Sequence, residues 1–353
     1  MLNLTQTAYW TRKILKFGAI FLIAIIFLRI FFGLVSSLFK KIHPPPPPAP
    51  TVAFGKLPKI NFPENETTKE QKKFTFKLET IAGTLPKLPN VGKVYFIAKE
   101  GPNLLALDRA NQLAKKLGFK SQPQAVSEKV YRWTTESNPP TSLDIDINTQ
   151  NFHLYYDYQN DQEILNSKDL PTNQQAAQEA KNFLASNGLL AADLATGSAE
   201  FVYLKFSPQK LIPAISLSEA DFVRVNLFRS DLDGLRILPP NPKNSLISFL
   251  FSGSKAMGKR MIEVNYTYYP IEREIFATYP LKTVQAAWQE LQGNTGYIAN
   301  LGENENGEIT IRKVYLAYYD SDQSQNYLQP IFVFEGDNNF IGFVSAVDTK
   351  WTE

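Results

Sequence analysis

A chain of 353 residues that is 44% hydrophobic and 20% charged has ordinary globular composition and is longer than one typical domain. Its 37 lysines and arginines against 34 aspartates and glutamates give a formal charge of +3, but six of those bases and no acid fall in residues 1–43. The remaining 31 bases against 34 acids leave the rest of the chain at −3, which argues against the basic folded surface of a nucleic-acid binder. The absence of cysteine excludes a disulfide scaffold and any thiolate metal site.

The first element is Phe17 to Phe39, FGAIFLIAIIFLRIFFGLVSSLF, which carries the single charge Arg29. As a helix these residues would span about 34 Å, enough for a hydrocarbon core of about 30 Å. A signal peptide would have a shorter apolar run and a small-residue cleavage site. Here Lys40 and Lys41 and then prolines follow, so the segment reads as a retained anchor. Arg12, Lys13 and Lys16 precede it, and the basic residues place the N-terminal side in the cytoplasm and the body outside. Within the anchor, Gly18, Leu22, Ile25, Arg29, Gly33 and Ser37 recur every three or four residues and share one helical face. Gly33 and Ser37 form a small-xxx-small pair suited to close helix approach. This face is expected to pack on a partner's transmembrane helix that offers Arg29 a carboxylate or free carbonyls.

From His43 to Glu66 the chain is rich in proline, with eight between Pro44 and Pro63. Consecutive prolines favour polyproline II, so Pro44 to Pro50 would be a stiff spacer of about 22 Å.

Beyond the spacer, three segments have helical apolar periodicity. They are Leu104 to Leu117 ending at Gly118, Gln174 to Asn187 ending at Gly188, and a stretch from Val284 that stops at Gly293. Thr172 and Gln175 stand in capping-box spacing before the second, and Thr283 precedes the third. The rest alternates with period two, as in Ile262, Val264, Tyr266 and Tyr268 against Glu263, Asn265 and Thr267. LDIDI, NFHLYYDY, ITIRKVYLAYY, LQPIFVFEG and FIGFVSAV read likewise. The expected fold class is α+β, with antiparallel sheets each covered by a helix. A helix followed by several strands occurs near both ends of the body, a pattern that admits two similar helix-plus-sheet units. The expected organisation is a cytoplasmic arm at 1–16, a transmembrane helix at 17–39, a Pro-rich linker at 40–67, and α+β domains at 68–195 and 196–353.

The stretches WQELQGNTGYI, ITIRKVYLAYYD and Tyr327 to Gly336, with its Pro-x-aromatic strand, resemble the C-terminal part of YycH/YycI-type regulators and related PepSY-like domains. The resemblance covers the anchor layout and about the last 70 residues. It implies an extracytoplasmic module that acts by contacting other envelope proteins, in some members a sensor kinase.

Chemistry is sparse. Ser252-Gly253-Ser254-Lys255 matches the S-x-x-K motif of penicillin-recognising enzymes, but no Lys-Thr-Gly element accompanies it, and FSGSKAMGKR reads as a hairpin loop. Asp320, Asp322, Ser324 and Asn326 alternate as in a calcium loop, yet Gln325 and Ile331 occupy the positions that need Gly and Glu. Asp231 and Asp233 before Gly234 read as turn chemistry. His153 sits alone in a strand and His43 in the spacer. No cofactor, metal or catalytic residue is expected. The partners are the lipid bilayer and a membrane or envelope protein, and the expected role is sensing or regulation without catalysis. The competing readings are an envelope hydrolase whose active site assembles only in the fold, and a structural subunit of an envelope assembly.

Overall fold

The computed structural model describes residues 4–42, 49–64, 73–98, 103–208, 210–256, 258–304 and 307–353. By contact density the chain divides into two compact units, residues 1–49 and residues 50–353. The first is a single helix, Leu4–Ile42. It runs through the expected span and extends over most of the short arm before it. Within this unit the apolar side chains are exposed along the helix. Among the described residues it is the one helix long and apolar enough to cross a membrane, with mean hydropathy 2.6 over an 18-residue stretch within Thr7–Ser37.

The second unit is α+β, as the periodicities predict. Its largest element is a nine-stranded sheet, antiparallel throughout. The strand order is Gln124–Ala125, Val130–Thr134, Thr141–Asp146, Phe152–Tyr156, Met261–Tyr266, Ile247–Ser252, Phe222–Leu227, Ala199–Ser207 and Lys210–Pro213. The first four form a meander in chain order, the next four run backwards along the sequence, and Lys210–Pro213 follows Ala199–Ser207 as its antiparallel neighbour at the edge. The expected boundary at 195 and 196 therefore lies inside this sheet, because Phe152–Tyr156 pairs directly with Met261–Tyr266.

One face of the large sheet is closed by the helices Ala106–Lys116 and Asn173–Ser186, both within two residues of their expected limits. Ala110, Leu113 and Ala114 from one helix and Ala176, Ala180 and Leu184 from the other meet Leu143, Leu154, Val225, Phe249 and Val264 of the strands. Alanines at the contact positions let the helices approach the sheet closely. The second helix begins with the expected capping box, in which Thr172 and Gln175 satisfy each other's backbone N–H groups.

The C-terminal sheet has six strands. Glu308–Tyr319, Pro330–Gly336, Ile341–Ser345 and Tyr297–Asn300 are antiparallel neighbours, while Thr75–Leu78 and Ile237–Leu238 add to Glu308–Tyr319 in parallel. The helix Val284–Gln292, capped by Thr283, packs Ala287, Trp288 and Leu291 onto Phe332, Phe334 and Val344. A small third sheet joins Ile271–Pro280, Val91–Ile97 and Tyr327–Leu328. The apparent strand LQPIFVFEG is thus two strands: Gln329 marks the switch from the small sheet to the C-terminal one.

The linker expected at 40–67 divides. Residues 40–42 belong to the helix, and the proline run 44–48 lies outside the described residues. From Pro50 onward the chain is a strap built into the body. Leu57 is fully buried and bridges Thr352, Val52 N–H donates to Thr278, and Phe62 stacks on Tyr297 with centroids 4.8 Å apart. The reason is composition: past Pro50 the segment offers Val52, Phe54, Leu57, Ile60 and Phe62, enough apolar surface to repay ordering.

Candidate functional site

The serine of the S-x-x-K match ends the strand Ile247–Ser252, where it is fully buried and its Oγ donates to the Lys259 carbonyl at 2.5 Å. Gly253 follows because a Cβ there would lie 2.3 Å from the Ser167 carbonyl oxygen. Lys255 pairs with Asp169 at 2.6 Å on the surface. No Ser–Lys dyad forms. Lys259, the less exposed lysine of the loop, lies 2.7 Å from both Asp161 and Glu163. Ser254 donates to Glu163 at 2.9 Å and Tyr156 donates to Asp161 at 2.5 Å. Hydrogen bonds to Asp161 and then Glu163 hold Lys259 above its ordinary pKa, so it stays a cation that clasps the loop onto residues 158–166.

The calcium-like loop is committed elsewhere. Asp320 accepts from Arg229, Ser321 Oγ accepts from Gln323 N–H, and Gln325 donates to the Tyr319 carbonyl. Among the described residues no group of three or more His, Cys, Asp or Glu side chains could hold a metal. Asp233 accepts from Tyr95 and pairs with Lys93. Arg229 is the centre of a buried ionic cluster: Nε donates to Asp193 at 2.7 Å, Nη1 to the Tyr269 carbonyl at 3.1 Å, and the guanidinium lies 4.5 Å from the Tyr268 ring centroid. Tyr268 in turn donates to Asp193 at 3.0 Å. Burial, with the Asp193 charge adding to it, holds the Asp320 carboxyl above its usual range, and Arg229 offsets this only in part.

What the structure does assemble is a polar groove on the large sheet, on the face away from the two helices. Alternation creates it. Val223, Val225 and Leu227 face the helix-side core, so Arg224 and Asn226 between them face the other way. Ser248 lies between Ile247 and Phe249 in the same manner. A register shift opposite Leu250 and Phe251 keeps Met261 and Val264 on the core side while Ile262 and Glu263 both turn outward. The registers then place Asp144, His153, Asn265, Ser248, Asn226 and Glu200 in one row across six strands.

Around this row Asn265 donates to Glu263 at 2.8 Å and to Ser248 at 3.3 Å. Glu263 stands 3.7 Å from both His153 and Arg224. Burial works to raise the Glu263 carboxyl, and the hydrogen bonds of His153 and Asn265 with the Arg224 charge override it, leaving its pKa below the usual range. Asn226 is 1% exposed; its Oδ1 accepts from Ser245 N–H, while its Nδ2 finds no partner among the described residues. The groove encloses about 280 Å³, with Asn244 to Leu246 along one side.

The sequence singled out His153, Glu263 and Asn265 only as members of strand patterns and passed over Arg224 and Asn226. Their signal was present: in FVRVNLF an arginine and an asparagine interrupt an otherwise apolar run. Gly18, Leu22, Ile25, Arg29, Gly33 and Ser37 lie at their expected spacing on one unbroken helix, exposed within its unit.

No protein-family model matches the chain, and no curated protein matches it. Among solved structures, an uncharacterized protein from Eubacterium rectale ATCC 33656 aligns with a TM-score of 0.34 at 12% identity, over 72% of this chain and 82% of that one. A likeness of that degree carries no argument about function.

Proposed function

We propose that the chain is a single-pass membrane protein whose folded body lies outside the cytoplasm and regulates or senses an envelope partner by direct contact, without catalysis. The observation that carries the reading is the helix Leu4–Ile42, with apolar side chains exposed along its length and Arg29 near the centre of its apolar stretch. A bilayer would cover such a surface, and the lysines and arginines before it favour a cytoplasmic N-terminal side. The body supports a binding role, because the polar groups that first suggest chemistry (Ser252, Lys255, Asp320) are each engaged in structural hydrogen bonds or ion pairs.

Protease added to intact spheroplasts tests the orientation. Cleavage between the anchor and Pro50 should release a folded fragment; release only after membrane rupture would reverse the topology. Crosslinking in intact cells followed by mass spectrometry tests the role. Recovery of an envelope protein joined to the body supports it, and recovery of copies of this chain alone overturns it.

A further inference from the structure

We infer that the polar groove on the outer face of the large sheet binds a small zwitterion of the free α-amino-acid type, its carboxylate on Arg224 and Asn226 and its ammonium on Glu263. The inference stands apart from any membrane partner, since it rests on the sheet face alone. Arg224 Nη2 and Glu263 Oε2 face each other at 3.7 Å, close enough to balance charge but beyond hydrogen-bond length. Both groups therefore keep hydrogen-bonding capacity for a third party.

One strand, Ile247–Ser252, separates them in the sheet: Arg224 pairs with Leu250, and Leu250 pairs with Glu263. The opposite charges thus lean toward each other over a buried leucine, and a polar ligand above it would meet both. One row along the strands, the buried Nδ2 of Asn226 supplies a donor without an acceptor, on the same side as Arg224. Leaving such a donor unmade costs free energy that an incoming oxygen would recover. Donor beside cation suits a carboxylate, which accepts at both oxygens. The Glu263 oxygen not held by Asn265 suits an ammonium.

Size agrees with this chemistry. The groove of about 280 Å³ lies just below the range of about 300–1,000 Å³ usual for larger ligands. A single amino acid with bridging water fits such a space, and the one charge of each sign in Arg224 and Glu263 matches a ligand that is neutral overall.

The test is isothermal titration calorimetry of the full chain in detergent micelles, with the protein L-amino acids as probes, one at a time. At least one should bind saturably, with affinity falling about tenfold or more when its amine is acetylated or its carboxylate converted to an amide, the loss of one charge-assisted hydrogen bond. R224Q, E263Q and N226A should weaken binding of the unmodified probe similarly, with thermal unfolding checked for each. The modified probes act on the wild-type chain, so the outcome does not hang on any variant folding. Absence of saturable binding by every amino acid would overturn the proposal. So would binding that survives both modifications, or acetate binding as tightly as the amino acid.

Discussion

Arg229, just past the strand Phe222–Leu227 of the large sheet, reaches Asp320, the residue that follows the longest strand of the C-terminal sheet, with Nη1 3.3 Å from Oδ1. One buried cation thus ties the ends of two sheets and also holds Asp193. Removing one partner of a buried ion pair leaves the other uncompensated, at about 3–5 kcal/mol. Arg229→Ala should lower urea-unfolding stability by that amount. Replacing Arg229, Asp193 and Asp320 together by apolar residues of similar volume should cost much less, because no charge is then stranded. A loss below about 1 kcal/mol for the single change would assign the cluster the weight of a surface pair.

The clasp at Lys259 gives a pH dependence of defined sign. Burial pushes the Asp161 carboxyl up, while hydrogen bonds from Lys259, Tyr156 and the Glu163 backbone bring it below its ordinary range. A carboxylate depressed on folding contributes stability above the unfolded value of about 3.9, and this is lost as pH falls through the folded value. Lys259→Met should therefore flatten the acid limb of stability, read as urea midpoints between about pH 3 and 7. Asp320, raised on folding, works in the opposite direction and is common to both proteins, so the difference isolates the clasp. Parallel acid limbs would remove Lys259 as the cause.

The strap from Pro50 to Phe62 should behave as core. Leu57 is fully buried between the C-terminal sheet and the end of the chain, and truncation of such a leucine costs about 2–5 kcal/mol. Leu57→Ala should lower stability within that range, whereas Lys59→Ala on the exposed side should stay within about 0.5 kcal/mol. Equal, small effects would return the segment to the status of a tether.

Arg29 stands near the middle of the apolar helix, where an arginine costs about 2.5–3.5 kcal/mol on insertion scales. Arg29→Leu should leave membrane insertion intact or improved while copurification of a partner in mild detergent falls. Retention of the partner at wild-type yield would make the arginine a tolerated cost of insertion.

Where an element's cause is local, the residues disclosed it. The long apolar helix follows from 23 residues that carry a single charge. The three longer helices of the body follow from apolar spacing with Thr172, Thr283 and glycine punctuation. The strands show as period-two alternation, from which Glu263 and Asn265 are legible as outward-facing. Alternation names a face, however, and never a neighbour. That Thr75–Leu78 would run parallel beside Glu308–Tyr319, or that LQPIFVFEG would split between two sheets at Gln329, depends on how distant strands close around a shared core. The groove depends on it most. Arg224 and Glu263 are far apart in the sequence and stand 3.7 Å apart only because Ile247–Ser252 pairs with both of their strands and a register shift beside Glu263 sets which side chains turn outward. Strand order is settled by the free energy of the whole core, which no window of adjacent residues contains.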